Sequence, residues 1–215
     1  MKIAVLTAMA IIGLSSAAAH AAVNLVSDGD FSSPSGGATF TTYSSGSFGP
    51  WTVGGGSVDL IGGYWQAPAG TSGSVDLDGN APGSISQALS LTSGEYLLSF
   101  YLSGNPDGAP ALKSLDVTLS SGAIPASTPF SYTTGTNTHT DMEYVLETYE
   151  FSATGPTTLT FASLDSGTPY GPVIGDVSVS AVPEPSTWSM LIIGIGAIGT
   201  MLRLGRRQSS RVLTA

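Results

Sequence analysis

Between residues 22 and 182 no stretch of useful length repeats its apolar residues at helical spacing; short β-type runs recur instead, closed off by Gly, Pro, Asn and Ser. The runs are Phe40–Tyr43, Val58–Ile61, Ser84–Leu91, Tyr96–Leu102, Leu115–Leu119, Tyr144–Phe151, Thr157–Leu164 and Ile174–Val179. Strands of this length must stack their apolar faces in layers, so the expected class is all-β, a jelly roll or related two-sheet sandwich. Leu97, Ser99 and Tyr101 alternate with Leu98, Phe100 and Leu102 so that both faces are largely apolar, which predicts a central strand buried on both sides. Thr158, Thr160 and Ala162 alternate with Leu159, Phe161 and Leu164 as a half-buried strand would. Asp78-Gly79-Asn80, Asn105-Pro106-Asp107-Gly108 and Thr154-Gly155-Pro156 carry turn chemistry between the runs.

Both ends differ in kind from this middle. Met1-Lys2, the apolar Ile3–Leu14 and the small residues Ala17–Ala22, with Ala19-His20-Ala21 as an A-x-A site, predict a cleaved signal peptide over 1–21. At the other end Val182-Pro183-Glu184-Pro185-Ser186-Thr187-Trp188 precedes an apolar run to Leu202 and the basic Arg203, Arg206, Arg207 and Arg211. The prolines hold the Pro-Glu-Pro stretch extended, a form proteases bind. A helix over about 187–204 would cover roughly 27 Å, slightly short of a ~30 Å hydrocarbon core unless Trp188 anchors one side and the arginines reach the other. Gly194, Gly196 and Gly199 spell G-x-G-x-x-G inside this span, but no strand precedes them and no acid follows, so a dinucleotide site is rejected.

This tail resembles the PEP-CTERM sorting signal of exopolysaccharide-producing Gram-negative bacteria, with its motif at Pro183, Glu184 and Pro185, a helix, and an arginine end at Arg203, Arg206 and Arg207. The resemblance implies an exosortase partner, a sorting signal over 182–207, a cytoplasmic tail over 208–215, and a transient inner-membrane anchor followed by release to the cell surface or matrix.

Without the terminal segments, residues 22–182 hold one basic residue, Lys113, against fourteen Asp and Glu, a net charge of −13. Such a surface repels nucleic acid and anionic lipid, so the only expected membrane contact is through the sorting helix. The chain has no cysteine, which excludes disulfide staples and thiol chemistry and requires a core large enough to stand alone.

Asn24-Leu25-Val26, Trp51-Thr52-Val53, Gly56–Ile61 with Tyr64-Trp65-Gln66, Val75–Gly79, Pro82–Gln87, Gly104–Gly108, Tyr170-Gly171-Pro172 and Asp176–Val179 stand in this order. Together they resemble the choice-of-anchor C domains, relatives of the DUF642 proteins, over nearly all of 22–181. The resemblance implies a galactose-binding-like β-sandwich and, by analogy, association with cell-wall or matrix polysaccharide. Where that family carries Leu-Asp-Asn before its last Val-Ser-Val, this chain has Ile174-Gly175-Asp176.

Chemistry-bearing residues are few. His139 is the only histidine of the exported region, in the polar context Thr136–Asp141, and reads as a solvated loop residue. No G-x-S-x-G elbow accompanies it, so no catalytic class is complete and the expectation is a non-enzyme. Asp76, Asp78 and Asn80 place side-chain oxygens at i, i+2 and i+4 around Gly79, a candidate for structural calcium, set against an ordinary Asx turn at a strand end. No other cofactor is indicated. Tyr64, Trp65 and Tyr170, beside Gln66, Asn105 and Asp107, are candidates for a glycan cleft, because sugars present apolar C–H faces to aromatic rings and hydroxyls to amides and carboxylates. Trp51 reads as core, and Asn105–Gly108 also suits a purely structural turn. The leading expectation is polysaccharide binding by an exported protein; the alternative is an acidic, cation-dependent coat or matrix component with no specific glycan site.

Overall fold

The computed structural model describes residues 23–120 and 127–183, together with residues 192, 194–196, 198 and 199. Ala19 and Ala21, Glu184 and Pro185, and the tail arginines lie outside the described residues. Residues 192, 194–196, 198 and 199 are helical, and Ile192, Ile195 and Ile198 are exposed. Among the described residues no helix is long and apolar enough to cross a membrane.

Twelve strands form two six-stranded antiparallel sheets. In chain order they are β1 (Phe40–Tyr43), β2 (Ser47–Phe48), β3 (Trp51–Gly55), β4 (Val58–Ile61), β5 (Ser74–Asp76) and β6 (Gly83–Leu89), followed by β7 (Gly94–Gly104), β8 (Leu112–Leu119), β9 (Ser127–Thr133), β10 (Val145–Ala153), β11 (Thr157–Ser163) and β12 (Pro172–Ala181). One sheet runs β1-β4-β5-β12-β7-β10 and the other β2-β3-β6-β11-β8-β9. All eight runs predicted from sequence are strands.

Alternation builds the core. On β6, Ile85, Gln87 and Leu89 are buried while Ser84, Ser86 and Ala88 are more open, and β8 repeats the pattern with Leu115, Val117 and Leu119. The inward faces meet around Trp51, Phe100 and Phe161, with the Phe100 and Phe161 rings 5.1 Å apart at 75°. Trp51 is fully buried and its Nε1–H donates to the Asp28 carbonyl.

β7 is not the strand buried on both sides that its two apolar faces suggest. β7 is buried through Tyr96, Leu98, Phe100 and Leu102, but Leu97, Ser99 and Tyr101 on its other face are only half-buried. β7 is flanked by the edge strand β10, and one face of this sheet is turned to solvent, as antiparallel sheets allow.

The chain start is tied to its end. Asn24 accepts from the Val179 amide and donates to the Val177 carbonyl, while Leu25 N–H donates to the Val179 carbonyl. β12 slips register between Gly175 and Ser178, and Asp176 takes a φ of +48° there. A Cβ at Gly175 would lie 2.5 Å from Pro68 Cγ, so the glycine that departs from the family pattern permits a close loop approach.

Candidate functional site

A second apolar cluster of Ile61, Trp65, Met142 and Val173, with Tyr64 and Tyr144 against it, lies outside the main core. Beside it the outward residues of β1 and β4 meet four inter-strand segments in a cleft of about 180 Å³. β1 supplies Phe40 and Thr42, and β4 supplies Asp59 and Ile61. Tyr64 and Trp65 follow β4, Gly79 and Asn80 come from the turn after β5, Asn105 and Asp107 from the loop after β7, and Pro169 and Tyr170 from the segment before β12.

The aromatic wall is organised around Tyr64. Its ring lies 5.3 Å from Phe40 and 4.6 Å from the His139 imidazole. Tyr64 donates its hydroxyl proton to Asp107 Oδ2 at 2.9 Å, and His139 Nε2 lies 2.7 Å from Asp107 Oδ1. The Asp107 carboxylate at the end of the Tyr64 O–H bond raises the phenol pKa. His139 lies in a turn and is half-exposed, as its polar context suggests, and its contacts with Tyr64 and Asp107 add it to an ordered array. Tyr170 packs its ring over Gly108, where a Cβ would come within 2.1 Å of that ring. Only glycine leaves the space.

Trp65 is 5% exposed, and its Nε1–H donates to Ser74 Oγ at 3.0 Å. It forms the base under the cleft rather than a free stacking platform. Gln66 is occupied structurally, its Oε1 accepting from the Met142 amide. Asn105 is buried, donating Nδ2 to Asp76 Oδ2 and accepting from the Asp107 amide, so it holds the loop that presents Asp107. Of the six glycan candidates, the structure brings Tyr64, Trp65, Asn105, Asp107 and Tyr170 together at the cleft.

Of the three calcium candidates, Asp76 and Asp78 are buried and Asn80 is exposed. Asp76 is fully buried, and its carboxyl accepts from the amides of Asp78 and Gly171 and from Asn105. The bond from the Asp78 amide is the Asx turn. Asn80 is exposed, and its backbone N–H donates to Ser57 Oγ. Among the described residues no group of three or more His, Asp or Glu side chains is arranged to hold a metal ion.

Beneath the cleft the acids are unusually dry. Burial pushes the Asp76 carboxyl well above the ordinary range, and it raises Asp78 to about 6 and Asp59 in the same direction. Lys113, on β8, is fully buried and donates Nζ–H bonds to the carbonyls of Gly108 and Tyr170, so one ammonium clips two cleft loops together. Burial lowers its pKa, against the pull of Asp165, Asp76 and Asp78.

Sequence reasoning missed Phe40, Thr42 and Asp59. A signal for Asp59 was present: it sits between Val58 and Leu60, which alternation sends inward, and it therefore faces out. Thr42 donates to Asp59 Oδ1 at 2.6 Å.

The sequence profile of the family described as Protein of unknown function (DUF642) matches residues 24–180, and that of the PEP-CTERM protein-sorting motif matches residues 181–207. No curated protein is similar enough to be matched to the chain. Solved structures of similar fold include a family 35 carbohydrate binding module from Clostridium thermocellum, at 16% identity and a TM-score of 0.41, covering 66% of this chain and 92% of that one. Another is the CBM22-1 xylan-binding domain of Paenibacillus barcinonensis Xyn10C, at 16% identity and a TM-score of 0.44, covering 68% and 95%. A third is TmCBM61 in complex with beta-1,4-galactotriose, at 16% identity and a TM-score of 0.41, covering 74% and 99%.

Proposed function

The chain belongs to the DUF642 family and ends in a PEP-CTERM sorting motif, which implies export and a C-terminal anchor region; from that premise we propose that it is an exosortase-sorted surface or matrix protein whose non-catalytic sandwich binds polysaccharide. The observation that carries the reading is the cleft itself. Phe40, Tyr64 and Tyr170 line it together with Asp59, Asn80 and Asp107, and this mixture matches the amphipathic surface of a sugar ring. The volume of about 180 Å³ equals about six waters' share of liquid, the scale of one hexose ring. Rings held by edge contacts and by the Tyr64–Asp107–His139 bonds lose little freedom on binding, which favours retention of a weak ligand.

The test is affinity electrophoresis of the protein through gels containing neutral or acidic polysaccharides, with calcium and with chelator. Saturable retardation by particular glycans, lost on Tyr64→Ala with the melting temperature unchanged, is the expected result. Absence of retardation by every glycan, with the protein folded, overturns the reading. Retardation that ignores Tyr64→Ala and requires a divalent cation is instead the behaviour of an acidic coat component. Release of reducing ends would refute the non-catalytic assignment.

A further inference from the structure

Charge on the cleft narrows its ligand further. Between residues 23 and 183 the sequence holds one Lys and no Arg, and that Lys113 is fully buried with its ammonium turned to backbone carbonyls. The sandwich therefore shows solvent no lysine or arginine at all. Within the cleft, Asp107 has both oxygens engaged, one by Tyr64 and one by His139. Asp59 differs. Thr42 donates to its Oδ1, and no hydrogen bond to its other oxygen is formed among the described residues, although it lines the same cleft.

Resting on the glycan-binding reading, we infer that the cleft takes polysaccharides bearing free amino groups, with the protonated amine of a hexosamine unit set against Asp59 and the sugar ring against Tyr64. Charge and pairing favour this class over the other glycans. Uronic, sulfated and phosphorylated polymers meet no lysine or arginine on the sandwich, and His139 beside the cleft is already held by Asp107. Neutral sugars satisfy the hydrogen-bonding groups but leave Asp59 without a counter-charge in a partly desolvated position. Burial already raises the Asp59 pKa, and a cationic guest relieves that cost by direct pairing.

The experiment is calorimetric titration of the full chain, in mild detergent, with a glucosamine hexamer, an N-acetylglucosamine hexamer and a neutral glucose hexamer. The amino oligomer should bind at least about tenfold tighter than its acetylated counterpart. Asp59→Asn keeps the shape and an acceptor for Thr42, and should erase that preference with little change in melting temperature. Glu150→Gln removes one charge from exposed β10, at the opposite edge of the same sheet, and should leave the preference intact. Equal or tighter binding of the acetylated or neutral oligomer overturns the amino-sugar inference and leaves the glycan cleft standing. Binding of none of the three removes support from both. Equal losses on Asp59→Asn and Glu150→Gln would show diffuse attraction to the acidic surface and overturn the assignment to this cleft.

Discussion

Stability should fall as the pH rises from about 4 to 7, with Asp78 as a principal cause. Its side chain is fully buried and neither carboxyl oxygen has a hydrogen-bond partner. Ionising it in the folded chain means holding a charge away from water, and its pKa is raised from 3.8 to about 6. Burial is the main cause. The nearby Ser163 hydroxyl and the Lys113 ammonium pull it partly back, and Asp165 adds repulsion. Because the folded pKa lies above the unfolded one, the folded state binds the proton more tightly, and this group's contribution is greatest below about pH 4. It is lost progressively up to and past pH 6. A gap of about two pH units at 1.36 kcal/mol each gives roughly 3 kcal/mol by pH 7, or about 6–12 °C in melting temperature for a domain of this size. Urea unfolding followed by the fluorescence of buried Trp51 and Trp65, at steps between about pH 4 and pH 8, measures it. The other acids shifted by burial, Asp28, Asp59, Asp76, Asp165 and Asp176, all move in the same direction. The decisive comparison is therefore Asp78→Asn, which cannot ionise and should retain only a reduced slope. Parallel pH profiles for the two proteins would refute the reasoning.

Tyr64→Ala should weaken glycan binding about tenfold while changing stability by less than about 1 kcal/mol, whereas Trp65→Ala should cost about 3–5 kcal/mol because it empties a buried site. Melting curves beside binding isotherms separate the two. Lys113→Met keeps the volume but removes the clip between Gly108 and Tyr170 and strips the buried acids of their cation; a loss of about 3 kcal/mol in urea unfolding is expected. Gly108→Ala pushes the Tyr170 ring from its seat, so glycan affinity should drop while the melting temperature moves little, and unchanged affinity would remove Tyr170 from the site.

The eight runs were legible because each is long enough to show β-branched and aromatic residues between turn signals. β2 has two residues and β5 three, too few to display a period. β3 was not among the runs, although Trp51 at its start read as core. β9 reads Ser-Thr-Pro-Phe-Ser-Tyr-Thr, with a proline that argues against a strand, yet it lies at a sheet edge where proline is tolerated. The aromatic and carboxylate types of the cleft were readable from local composition. Their roles were not, because burial separates Tyr64 from its neighbour Trp65 and follows from how the segment after β4 seats against Ile61, Met142 and Val173. His139 looked idle for the same reason: its partners Asp107 and Tyr64 lie 32 residues before it and still further back, and only the topology joins them.

Lys113 links the loops of the cleft to its charge. A domain without cysteine must hold its loops by other means, and here the one available ammonium joins the loop after β7 to the segment before β12, the pair that carries Asp107 and Tyr170. Burying the only lysine of residues 23–183, which hold no arginine, has a surface consequence. The sandwich keeps no exposed lysine or arginine to neutralise the acids around the cleft, so its negative potential is the sum of the whole sandwich rather than of Asp59 and Asp107 alone. At physiological salt that broad field is screened over about 8 Å and acts on the approach of a ligand, whereas the half-buried Asp59 is shielded from salt and acts on its retention. The same lysine that shapes the cleft walls thereby leaves the cleft selective by charge.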